Sequence, residues 1–205
     1  MVSITASLKN AASRLLAVAL CLWLCCSGAV AAEVEISNPQ LLAVEDGYAL
    51  NAEFNIDFGP RLEEAVDKGL VLNFVVEFDL TRPRWYWLDE KLVSRSQTYR
   101  LSYHALTRQY RLSTGALHQS FSSLSEALRM LSRLRNWLVI DKSAADKNDK
   151  ALTKVGESYQ AALRFRLDTT QLPRPFQIAA LGSRDWNLGS DWKVWQLTLP
   201  PAESK

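Results

Sequence analysis

Residues 70–80 read Leu-Val-Leu-Asn-Phe-Val-Val-Glu-Phe-Asp-Leu. Successive side chains of an extended chain point to opposite faces, so Leu70, Leu72, Phe74, Val76, Phe78 and Leu80 share one side. Val71 and Val75 add apolar groups to the other. The stretch therefore predicts a central strand covered on both faces. Such a strand needs partners along both edges, and the rest of the chain can be read for them.

Upstream, Tyr48, Leu50, Ala52, Phe54, Ile56 and Phe58 alternate with Ala49, Asn51, Glu53, Asn55 and Asp57. Asp46-Gly47 is a turn signal, and before it Val34, Ile36, Leu42 and Val44 predict a first strand broken near Asn38-Pro39. These two make a hairpin. Pro60 suits the first turn of a helix whose buried face holds Leu62, Ala65 and Val66, and Gly69 suits a left-handed cap.

Downstream, Pro83 interrupts the central pattern, and residues 85–93 read as a strand extension or a loop. Tyr99, Leu101 and Tyr103 alternate, and a turn at His104–Thr107 leads to Tyr110-Arg111-Leu112 as a second hairpin. Ser123 with Glu126 is a capping box, and Leu124, Ala127, Leu128, Leu131 and Leu134 mark a helical stripe behind it. Trp137–Ile140 reads as a short strand. Residues 142–154 are charged and poor in large apolar groups, so they read as a flexible loop. Tyr159, Ala161, Leu163, Phe165 and Leu167 alternate again, with Arg164 and Arg166 facing away. Phe176–Leu181 reads as a helical turn or a strand, and Lys193–Leu199 closes the sheet. The expected class is α+β, mostly β: an antiparallel sheet or sandwich of about seven to eight strands with two packed helices.

The N-terminus predicts export. Lys9 and Arg14 precede an apolar run from Leu15, and Ala29 and Ala31 fit the small-residue pattern of a signal-peptidase site, so cleavage is expected after Ala31. Residues 1–31 then form a signal peptide and 32–205 one globular domain. The alternative is an uncleaved inner-membrane anchor, for which the 18 residues Leu15–Ala32 are just long enough. All three cysteines, Cys21, Cys25 and Cys26, fall in this segment, so the mature chain offers no disulfide and no thiolate.

Without Lys9 and Arg14 the chain has 22 basic and 22 acidic residues. Residues 32–81 carry a net charge of −9, 82–111 of +5 and 112–205 of +4. Two readings follow. The segments pair as neighbouring strands, or the basic ones form a face for an anionic partner such as a membrane surface.

Catalytic and metal signatures are weak. His104 and His118 have no zinc-ligand spacing, there is no Gly-x-Ser-x-Gly elbow, and Asp89 and Glu90 point opposite ways on an extended chain. No metal, cofactor or nucleic-acid partner is expected. Two aromatic-arginine clusters stand out instead. Arg84, Trp85 and Trp87 form one, with Arg100, Arg108 and Arg111 as a basic face. Trp186 and Trp192 mark the other. Tryptophan beside arginine anchors protein partners or stacks on sugars. The favoured alternative is that it fills the margin of a core under a cation–π lid.

The runs RWYWLDE (84–90), YRLSYHALTRQYRLS (99–113) and LPRPFQ (172–177), with the spacing of Trp186, Trp192 and Trp195, resemble the domain of unknown function 4390 family. The resemblance covers nearly the whole mature chain. It implies a short exported protein of Gram-negative proteobacteria, with no assigned activity, ligand or catalytic residue. Members are often encoded beside a nitrogen-regulation-type sensor kinase, which implies a link to envelope sensing. The leading expectation is a periplasmic, non-enzymatic domain that binds an envelope protein or component. The alternatives are a hydrolase of cell-wall glycan or peptide, built on His104 or a carboxylate, and a purely structural envelope protein.

Overall fold

The computed structural model describes residues 34–84, 86, 89–141 and 157–199. The expected signal peptide, the expected loop at 142–154, and Trp85 and Trp87 lie outside these residues.

Among the described residues nine strands form two antiparallel sheets. One has three strands: β1 (Val34–Val44), β2 (Gly47–Ile56) and β7 (Arg133–Asp141), in the order β1-β2-β7. The other holds β3 (Leu72–Arg82), β4 (Glu90–His104), β5 (Gln109–Thr114), β6 (Leu117–Phe121), β8 (Ser158–Leu167) and β9 (Lys193–Thr198), in the order β6-β5-β4-β3-β8-β9. The described residues also hold three α-helices, α1 (Gly59–Asp67), α2 (Leu124–Leu131) and α3 (Arg174–Gly182), and two short 3-10 turns at Thr169–Gln171 and Arg184–Trp186.

The stretch 70–80 does organise the molecule. β3 pairs with β4 on one edge and β8 on the other, and Leu72, Phe74, Val76, Phe78 and Leu80 are fully buried. They meet Leu50, Ala52 and Phe54 of β2 in one core. Phe165 of β8 joins the sheets, its ring 5.0 Å from Phe54 and 5.6 Å from Phe74. β1 lies against β8 and β7 against β4, so the smaller sheet covers only the β8-β3-β4 part of the larger one. β5 and β6 project beyond it.

Local signals hold where the chain's own chemistry decides. The β1 register slips between Ser37 and Gln40, around Asn38-Pro39. Pro60 opens α1. Gly69 closes it at φ +88°, a conformation that side chains bearing Cβ rarely adopt, while the Leu70 N–H donates to Ala65 O. The Ser123 hydroxyl accepts the Glu126 N–H, and the Glu126 carboxylate accepts the Ser122 N–H and hydroxyl.

Three expectations need correction. First, β6 is an additional strand. Its side chains are exposed apart from half-buried Phe121, so an edge strand of this kind leaves no alternation to read. Second, α2 stops at Leu131. The Ser132 hydroxyl donates to Leu128 O, the chain turns at once, and Leu134 is a β7 residue opposite Ala52. Third, 174–182 is a full third helix.

Candidate functional site

The overhang of β5 and β6 leaves a cleft of about 440 Å³ along the inner face of the larger sheet. Its floor comes from Gln97 and Tyr99 of β4, Leu112 and Thr114 of β5, and Leu117 and Gln119 of β6. Its roof is Met130 of α2 with Arg133 and Arg135 of β7. The register explains the floor. Phe74, Tyr99, Thr114 and Leu117 form one row across β3, β4, β5 and β6, passing from full burial at Phe74 to the open edge at Leu117.

The cleft is rich in donors. Burial pushes the Tyr99 hydroxyl up to about 12, so it is a neutral donor at physiological pH. It accepts the Gln97 amide at 2.9 Å, which leaves its own proton available. Arg135 is paired with Glu53 at 2.7 Å. Arg133 has no carboxylate within ion-pair distance among the described residues, and it also borders a second hollow of about 410 Å³ with Glu53, Asn55, Arg129 and Ser132. Beside the cleft, Arg95 Nε donates to Val139 O at 3.3 Å and ties β4 to β7. Apolar Leu112, Leu117 and Met130 thus stand beside the Tyr99 hydroxyl proton and Arg133, donors without a partner among the described residues. This arrangement suits a ligand with an apolar body and an anionic or carbonyl group.

The opposite face of the larger sheet carries charge. Glu77 of β3 accepts from Arg164 Nη2 at 2.5 Å and Arg166 Nη2 at 3.1 Å. Burial alone would raise its carboxyl, but the two arginines outweigh that and hold it below the usual range. The Arg164 guanidinium also lies 4.5 Å over the Trp192 ring. Lys91 pairs with Asp79 at 2.8 Å. Acidic segment 32–81 therefore meets basic residues on neighbouring strands, as one of the two charge readings expected.

The described residues singled out from sequence fall in five places. Arg84, just past β3, pairs with Glu90, which also binds Arg82 at 3.3 Å. Its N–H donates to Asp89. Arg100 and Arg111 are exposed on the outer face of β4 and β5, Arg100 opposite Ser113 and Arg111 opposite Ser102. Arg108 sits in the β4–β5 turn at φ +52°. None of these last three has a carboxylate within ion-pair distance among the described residues. Trp186 is buried, its ring 5.6 Å from Phe176. Its indole N–H has no hydrogen-bond partner among the described residues. Trp192 is partly exposed under Arg164.

The structure does not bring Arg84 and Trp186 together. Arg84 follows the C-terminal end of β3. Trp186 lies near its start, where Asp168 N–H donates to Asn73 O and Leu167 N–H to Leu188 O. Nine residues of strand separate Asn73 from Arg82, about 30 Å. Both histidines serve local bonds: His104 Nδ1 lies 3.3 Å from Thr107 Oγ1 in the same turn, and His118 Nδ1 lies 2.8 Å from Ser113 Oγ. No cluster able to hold a metal occurs among the described residues.

Sequence reasoning missed the cleft. Tyr99 was legible as an inward strand residue. Arg133 and Arg135 were hidden by extending the α2 stripe to Leu134, and Leu117 and Gln119 by the unread β6.

The fold and cleft define an antiparallel two-sheet β protein with a side opening between its sheets. The chain belongs to the family described as Domain of unknown function (DUF4390), whose model matches residues 31–196. No curated protein and no solved structure shows significant similarity to it.

Proposed function

We propose that this protein is an exported binding domain that takes an envelope component into the cleft between β4–β6 and β7. The cleft carries the reading: an apolar floor beside Tyr99, Gln97 and Arg133, which has no carboxylate partner among the described residues, fits an amphipathic anion. Tyr99 favours binding over proton transfer, because a hydroxyl at about 12 is poorly matched to general acid–base work near neutral pH. Export is supported by Lys9, Arg14, the apolar run and the Ala29-x-Ala31 site. No helix among the described residues is long and apolar enough to cross a membrane. Arg100, Arg108 and Arg111 form a second surface that suits an acidic protein partner, and the family's reported neighbourhood with sensor kinases makes envelope sensing the pathway we propose.

The test is a heteronuclear NMR titration with dihexanoyl-phosphatidic acid below its micelle concentration. Saturable shifts of the Gln97 and Gln119 side-chain amides are expected in the wild type and not in Arg133→Glu. Absent shifts, or the same shifts in both proteins, would overturn the reading.

A further inference from the structure

The second hollow that Arg133 borders is built differently from the cleft. The register lays its floor. Ser37 of β1 pairs with Glu53 of β2, and Glu53 pairs with Arg133 of β7, so the three stand in one row across the smaller sheet. Glu53 lies on the face opposite to that of buried Ala52 and Phe54, and Asn55 is the next β2 side chain on that face. β7 is the edge of the sheet, so the long Arg133 side chain borders the cleft as well. The end of α2 forms the wall. The Phe54 N–H donates to Ser132 O at 2.8 Å, which pins the helix end to β2 and holds Ser132 and Arg129 beside the row.

Donors dominate the lining. Arg129 and Arg133 have no carboxylate within ion-pair distance among the described residues. Glu126, one turn before Arg129, is taken up by the Ser122 N–H and hydroxyl. The Ser37 hydroxyl and the Asn55 side-chain amide have no hydrogen-bond partner among the described residues. Two acceptors face these donors. The Ser132 hydroxyl gives its proton to Leu128 O at 2.8 Å, so towards the hollow it can only accept. Glu53 Oε1 accepts from Arg135 at 2.7 Å, and Glu53 Oε2 has no partner among the described residues. Arg135 balances the Glu53 charge, so Arg129 and Arg133 leave the hollow net positive. Glu35, opposite Asn55 on β1, does not line it.

We infer that this hollow binds a phosphate group that still carries a proton. Two guanidinium forks, an amide and a hydroxyl offer more donors than the oxygens of a carboxylate can engage, whereas a tetrahedral oxyanion has oxygens for all of them. Sulfate and phosphate share that shape, so the acceptor decides between them. A protonated phosphate donates its P–O–H to Glu53 Oε2. Sulfate has no proton and sets an oxygen against the carboxylate, an unfavourable contact that rejects it. At about 410 Å³ and open to solvent, the hollow admits either the free ion or the end of a phosphate monoester. The site shares only Arg133 with the cleft and stands without it.

The test is a heteronuclear NMR titration of the full chain at about pH 6, where phosphate and its monoesters keep a proton in large part. Chloride holds the ionic strength constant. Inorganic phosphate should shift the Asn55 side-chain amide saturably, and sulfate should bind at least about tenfold more weakly. Arg129→Gln should weaken phosphate by about tenfold, the loss of one charged hydrogen-bonding group. Glu53→Gln should bring sulfate level with phosphate. Both substitutions are at the surface and break at most an exposed ion pair, so the fold tolerates them. Glycerol 1-phosphate separates the sources: tighter binding than inorganic phosphate marks an ester as the ligand, equal or weaker binding the free ion. No saturable shift at Asn55, sulfate as tight as phosphate in the wild type, unchanged binding in Arg129→Gln, or continued rejection of sulfate by Glu53→Gln would overturn the inference. Shifts at Gln97 and Gln119 in place of Asn55 would put the anion in the cleft, overturning this site and leaving the cleft reading intact.

Discussion

Arg164 of β8 holds Glu77 of β3 through two donors, Nε at 2.8 Å and Nη2 at 2.5 Å, both on one carboxylate oxygen. Arg166 donates to the other oxygen from Nη2 at 3.1 Å and reaches the first from Nε at 3.4 Å. Residues 87 apart in sequence are thus joined across adjacent strands. Glu77→Gln removes the charge and leaves two guanidiniums side by side. We expect a loss of about 1–2 kcal/mol in denaturant unfolding, the lower part of the range for charged hydrogen bonds because the pair is partly exposed.

The same carboxylate sets an acid limb. Its folded pKa is below the ordinary 4.5, so its contribution is present above that value and is lost as pH falls through the lower folded one. The stability gap between wild type and Glu77→Gln should therefore narrow below about pH 4.5. A gap constant down to the acid transition would contradict this origin.

Tyr99 sets an alkaline limb with the opposite sense. Its hydroxyl moves from 10.0 to about 12 on folding, through burial. Its contribution is complete below 10 and declines as pH rises through about 12. Tyr99→Phe should remove part of that decline in urea unfolding followed against pH. Tyr110, held up to about 12 mainly by its bond to Asp67, adds to the decline, as does Tyr48, whose hydroxyl burial also raises.

Phe165 touches rings from both sheets. Phe165→Ala should cost about 3–5 kcal/mol, because neither sheet can collapse into the space without parting from the other. Calorimetry would detect it as a large fall in Tm. A change no greater than that of a surface substitution would mean the sheets are held together elsewhere.

Ser123 caps α2 through its hydroxyl. Ser123→Ala should cost about 1 kcal/mol in chemical denaturation, and Ser123→Asp should keep most of the stability. Equal losses in the two variants would show that the cap is not what Ser123 supplies.

The sequence alone determined the elements whose pattern is written in neighbouring residues. The alternation at 70–80 marked the central strand, Asp46-Gly47 the first hairpin, Pro60 and Gly69 the bounds of α1, and Ser123 with Glu126 the start of α2. Each rests on local backbone and side-chain chemistry, which needs no partner from afar. Tertiary structure alone decided the rest. β6 shows no alternation because it is a solvated edge. Leu134 fits a helical stripe as well as a strand, and only its pairing with Ala52 assigns it. The cleft exists because a six-stranded sheet is wider than the three-stranded sheet above it, a difference that no stretch of either sheet contains. The separation of Arg84 from Trp186 follows in the same way from the length of β3 lying between them.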